Sequence, residues 1–109
     1  LAIVEGARPH IFCYHAGTTK GGLTGYDNGS TIADTAAESE DVYAAVRKID
    51  PNVILVGHGA AMETPEDAQY MLDNTTGHGF WTGSSTERLP IERAVTEAAN
   101  EFTALKFKK

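Results

Sequence analysis

The chain has 109 residues, 41% of them hydrophobic and 22% charged, the balance of one ordinary globular domain. Nine basic against fifteen acidic side chains give a net charge of -6, and the only basic cluster is the closing "KFKK", which argues against nucleic acid or an anionic membrane as partner. One cysteine, Cys13, excludes an internal disulfide, and with no signal-peptide pattern and no long apolar span the expected setting is a reducing cytoplasm.

The opening "LAIVEGA" reads as the end of a helix closed by Gly6, so the chain is expected to begin inside an element. "PHIFCY", residues 9–14, has the β-branched and aromatic content of a buried strand, with Cys13 as a small buried hydrophobe rather than a nucleophile. A long glycine-rich loop follows at 15–30, and loops of that length usually carry function. From Thr31 to Ile49, Ile32, Ala36, Val42, Val46 and Ile49 fall on one helical face, and Thr35 with Glu38 offers a capping box.

"VILV", residues 53–56, is continuously apolar, as in a strand covered on both faces. Thr64, Pro65, Glu66 and Asp67 then form a strong helix start, with cap, proline and acids in that order, and the helix should end near Asn74. "HGFWT", residues 78–82, predicts a third strand, with Phe80 and Trp81 as core or pocket wall. After Pro90, the residues Ile91, Ala94, Val95, Ala98, Phe102 and Leu105 keep an apolar face that predicts a packed outer helix. Two N-x-[ST] sequons, at Asn28 and Asn74, read as polar turns.

Strands alternating with helices and no hairpin signal predict parallel pairing through right-handed crossovers. Three such strands cannot close a barrel and leave apolar surface open. The expectation is therefore that residues 1–109 are a partial domain of three βα units, either the carboxyl-terminal part of a (β/α)8 TIM barrel or a chain that assembles with copies of itself. A missing amino-terminal part, or another copy of the chain in a homo-oligomer, would complete it.

In such a sheet, ligands gather at the carboxyl ends of the strands, which selects the loops 15–30, 57–64 and 83–90. His15 and His58 each follow a strand and would share one mouth, either as structural residues or in acid–base and ligand-orienting work. "GTTKGGLTG", residues 17–25, suits either a solvated loop or a nest of N–H groups with Lys20 as a point charge. "GSSTERLP", residues 83–90, begins with Gly83 and offers hydroxyls at Ser84 and Ser85, an S-x-x-E turn ending at Glu87, and a forked donor in Arg88. It reads either as an anion site at a short extra helix or as a capped helix start with Arg88 paired to Glu87 or Glu92. For zinc, the only third ligand near the histidines is Glu63, so a metal site within this chain is not expected.

"HAGTTKGGLTG", "VILVGHGAAMETPEDAQYML" and "GFWTGSSTERLPIERAVTE" resemble, in order and spacing over residues 10–102, the phosphoenolpyruvate hydrolase-like family of TIM-barrel proteins. A similar barrel follows a separate domain in the plant tobamovirus-resistance inhibitor family. The resemblance implies a (β/α)8 barrel similar to the phosphoenolpyruvate mutase and isocitrate lyase group, which handles small phosphorylated or carboxylated 2-oxo acids. It implies hydrolytic or lyase chemistry, or else a regulatory, signal-transducing barrel, with a small anionic metabolite as ligand. Its pattern places histidines at His15 and His58, glycines from Gly17 to Gly25, an acid-proline-acid run from Glu63 and a serine-glutamate-arginine loop at 84–88; the expected roles are catalytic for His15 and His58 and ligand-binding for Gly17, Gly21, Gly59, Glu63, Gly83, Ser84, Ser85, Glu87 and Arg88. A divalent metal such as magnesium would be held by residues outside this chain. The sequence departs from the family at Ala60, Ala61 and Met62, where a glycine and a proline usually follow the histidine-glycine pair.

Overall fold

A computed structural model describes residues 1–26 and 29–106. Asn28 of the first sequon and most of the terminal basic cluster lie outside the described residues. The elements in chain order are α1 (Ala2–Ala7), β1 (Ile11–His15), α2 (Ile32–Ile49), β2 (Ile54–His58), α3 (Pro65–Asn74), β3 (Gly79–Phe80) and α4 (Arg88–Thr103). The three strands form one parallel sheet in the order β1-β2-β3. Among the described residues no helix is long and apolar enough to cross a membrane.

Local chemistry fixes two of the four helix starts among the described residues, those of α3 and α2. Thr64 caps α3 by accepting from the Asp67 N–H while the Asp67 carboxylate accepts from the Thr64 N–H, and Pro65 stands at the first position, where no amide donor is needed. The same reciprocal box opens α2, but with Thr31 and Asp34 rather than Thr35 and Glu38. Thr35 is instead buried and donates its hydroxyl to the Thr31 carbonyl. The Thr31 amide holds the Asp34 carboxyl below its ordinary value. At the first helix, α1 runs through Gly6, and the left-handed closing residue is Arg8 at φ 47°. Arg8 donates to the Ile49 carbonyl, a tertiary bond that holds the cap where glycine would be favoured by local preference alone.

The core lies between α2 and one face of the sheet. Val4, Tyr43, Val46, Val53 and Leu55 are buried together, with Phe12, Tyr14, Val42 and Ile49 packed around them. Tyr43 sits against two glycines: a Cβ on Gly57 would stand 3.1 Å from its hydroxyl, and one on Gly77 3.1 Å from its ring. Burial raises the Tyr43 hydroxyl to about 12. A second cluster, Ala36, Met62 and Met71, joins α2 to α3.

The opposite face of the sheet is bare. Ile11 is 54% and Ile54 45% exposed; these two are register partners, as are Cys13 and Val56 two residues further on. Cys13 is thus exposed, not buried, because its side of β1 has no covering layer. Its partial desolvation still pushes the thiol above the ordinary range, which disfavours the nucleophilic thiolate.

The last helix also departs from expectation. α4 begins at Arg88, ahead of Pro90, and buries only Leu89. Ile91 and Val95 are each 63% exposed and Phe102 75%, so the apolar stripe is present but unpacked. The molecule is accordingly drawn out to 72 × 25 × 21 Å.

Candidate functional site at the carboxyl ends of the strands

The register of β1 and β2 sets His15 opposite His58, the last residues of both strands, on the bare face of the sheet. Their rings meet edge to face with centroids 4.9 Å apart. The loops that follow are laced together by backbone hydrogen bonds: Ala16 N–H to the His58 carbonyl, Ala60 N–H to Gly17, and Lys20 N–H to Ala60, each 2.9 Å. This close approach explains two glycines. Gly17 lies at φ 134°, and a Cβ on Gly59, at φ 84°, would overlap the Gly17 carbonyl oxygen. Ala60 holds a left-handed conformation at φ 49°, where a side chain costs roughly 1 kcal/mol.

The third loop joins through β3. Trp81 N–H donates to the Gly57 carbonyl, and the Trp81 carbonyl lies 2.7 Å from His58 Nδ1. Gly83 stands beside the His58 ring, where a Cβ would come within 3.1 Å of Cε1. Residues 84–87 form a turn whose amides at Thr86 and Glu87 bond back to the Gly83 carbonyl. No side chain caps α4 at Glu87, so the anticipated box between Ser84 and Glu87 does not cap this helix. Trp81 is 63% exposed rather than core, since β3 has no neighbour beyond it among the described residues.

Arg88 faces the first loop instead of the histidines. Its guanidinium donates to the carbonyls of Thr19 at 3.1 Å, Lys20 at 3.4 Å and Gly21 at 2.8 Å, and pairs with Glu92 at 3.3 Å. Glu92 in turn accepts from the Leu23 N–H at 2.7 Å and the Thr24 hydroxyl at 3.3 Å. The Leu23 amide, then Arg88, hold the Glu92 carboxyl below its ordinary value. Five donors or acceptors of the glycine-rich loop are thereby fixed by one turn of α4. Sequence spacing leaves Arg88 a choice of Glu87 or Glu92, of which the structure takes Glu92, and gives no sign of its hold on residues 19–24, almost seventy residues away in the chain.

Glu63 borders this clamp, with its carboxylate where a Cβ on Gly21 would fall. It also lines two clefts. One, of about 430 Å³, lies between the starts of α2 and α3 and includes Lys20, Ser30, Thr31 and Asp67. Lys20 Nζ donates there to the Ser30 carbonyl at 2.7 Å. The other, of about 230 Å³, lies between α3 and β3, with Ser85, Thr86, Phe80 and Leu72 in its wall. The structure therefore gathers His15, His58, Gly17, Gly59 and Gly83 at one rim, with Gly21, Glu63 and Arg88 in a flanking clamp. Ser85 turns toward the neighbouring cleft. Among the described residues no group of three His, Cys, Asp or Glu side chains is placed to hold a metal ion.

The three strands and their helices make a mixed α/β fold with a parallel sheet, in which the loops after the strands gather at one end. The family model described as phosphoenolpyruvate hydrolase-like matches residues 3–105, and the chain belongs to that family. Two tomato (Solanum lycopersicum) proteins, the ToMV susceptible protein tm-1(GCR26) and the ToMV resistance protein Tm-1(GCR237), are each 33% identical over 106 residues. The match covers 96% of this chain but only 14% of either relative.

Proposed function

We propose that this chain is the carboxyl-terminal part of a (β/α)8 barrel, and that its rim binds a small phosphorylated or carboxylated 2-oxo acid for hydrolytic or lyase cleavage beside the carbonyl. The observation that carries the reading is the 4.9 Å meeting of His15 and His58 at two adjacent strand ends, beside Gly83. Two imidazoles at one mouth can hydrogen-bond a carbonyl oxygen and move a proton.

The bare face supports the barrel. Ile11, Cys13, Ile54 and Val56 would form its inner wall, closed by strands from a longer polypeptide or another copy of the chain. The chain exposes 7392 Å², whereas a compact domain of 11.7 kDa exposes about 5,900 Å², so a large surface awaits cover. The reading assigns ligand contacts to amides of Gly59 and the 83–85 turn, with the hydroxyl of Ser84, while the Gly17 amide is engaged by His15 Nδ1 and positions that ring. Arg88 and Glu92 hold the glycine-rich loop in shape. Magnesium, if used, would be held by residues outside this chain, and no step here is routed through it. A single cysteine fits a cytoplasmic setting.

The test is turnover of phosphonopyruvate and related 2-oxo acids by the complete protein and by His15→Ala and His58→Ala variants. Loss of at least about a hundredfold in kcat/KM in both variants is expected of acid–base groups. Absence of turnover in the parent would favour a second reading, a non-catalytic regulatory barrel. That reading draws on the names of the tomato relatives, which speak of virus resistance and susceptibility.

A further inference from the structure

His15 and His58 are neighbours, yet their Nδ1 atoms face opposite kinds of partner. The Gly17 N–H points at His15 Nδ1 across 3.2 Å. A backbone amide nitrogen has only a proton to offer, so His15 Nδ1 supplies the lone pair and the proton of the neutral ring sits on Nε2. His58 Nδ1 lies 2.7 Å from the Trp81 carbonyl oxygen. That oxygen has only lone pairs, so His58 Nδ1 carries the proton and its lone pair is on Nε2.

We infer that the Gly17 amide and the Trp81 carbonyl hold the two rings in opposite neutral tautomers, making His15 Nε2–H a hydrogen-bond donor and His58 Nε2 a proton acceptor at the rim. The inference rests on the 2-oxo acid reading for its use and assigns the roles within it. His15 donates to the substrate carbonyl oxygen and to the negative charge that develops there. His58 accepts from a water or substrate hydroxyl, takes its proton on Nε2, and returns that proton to the departing fragment or to solvent. When His58 takes the proton, its Nδ1–H keeps the bond to Trp81. His15 can take a second proton only at Nδ1, where two donors would then face each other.

Gly83 is part of the same device. A Cβ there would lie 3.1 Å from His58 Cε1, closer than an ordinary contact, and 3.7 Å from Nε2, so a side chain at 83 would press on the ring next to its accepting nitrogen. Gly83 and the two backbone partners are positioning groups rather than catalytic ones. His78 supplies an internal reference, since its Nδ1 accepts from the Leu55 N–H at 2.9 Å and must share the tautomer of His15.

The chain has four histidines, few enough to resolve individually. Long-range 1H–15N spectra of the ligand-free, histidine-labelled full chain, taken at about pH 8.5 where ordinary imidazoles are neutral, read each tautomer directly. Assignment comes from single His→Gln variants checked against sequential backbone assignment. His15 and His78 are expected to show the protonated, pyrrole-type nitrogen at Nε2, and His58 at Nδ1. Gly83→Ala should move the His58 ring signals and leave those of His78 in place. A common tautomer for His15 and His58, or the averaged pattern of free imidazole at either, would overturn the inference. Because no substrate is present, this result is independent of turnover: an inactive protein with opposite tautomers would sink the enzymatic reading alone.

Discussion

Helices α2 and α4 are built alike and end differently. Both are amphipathic, with 18 and 16 residues, but α2 buries Thr35, Ala36, Ser39, Tyr43 and Val46, whereas α4 buries only Leu89. The near end of α4 is held by polar contacts, Arg88 and Glu92 grasping residues 19–24, while its apolar stripe beyond Leu89 is largely bare. An apolar period thus announces which side of a helix wants cover; it does not say that the same chain provides it. α2 lies against the sheet face carrying Leu55, and nothing comparable meets α4 among the described residues.

Substitutions can break this contrast. Tyr43→Ala should be the most damaging, lowering unfolding free energy by about 3–5 kcal/mol in denaturant titrations, since it empties the space between Gly57 and Gly77. Arg88→Ala should cost less, about 1.5–3 kcal/mol, because loop carbonyls lose a charged donor. Its signature would be faster amide exchange at residues 19–24 with the α2 core unchanged.

A smaller effect comes from pH. Glu92 has a folded value below its ordinary 4.5, so its ionised form favours the folded clamp. The stabilisation is complete above the ordinary value and is lost as pH falls through the lowered one. The protection of the Leu23 amide, corrected for the intrinsic exchange rate at each pH, should therefore fall on acidification, and Glu92→Gln should flatten that response. Ile91→Ser should change the stability of the isolated chain by no more than about 0.5 kcal/mol, since the side chain is 63% exposed. A large loss there would mean that α4 is packed after all.

What the sequence made legible was local or periodic. Thr64 and Pro65 announced α3 because cap and proline act within one turn. His15 and His58 could be paired in advance because equal placement after neighbouring parallel strands carries both to the same end. Cys13 and Trp81 were expected inside and lie outside because which face of a strand is covered depends on distant layers, not on the strand. The Arg88 clamp left no trace in the spacing, since its partners on residues 19–21 are backbone carbonyls, and carbonyls look alike in every sequence.

The shared rim is most directly tested by titrating the full chain with phosphonopyruvate while following histidine ring and backbone amide resonances. Saturable, concerted shifts at His15, His58 and Gly83, with His10 and His78 unmoved, are the result this structure calls for. Shifts confined to the exposed face of α4, or no saturable change at either rim histidine, would contradict it.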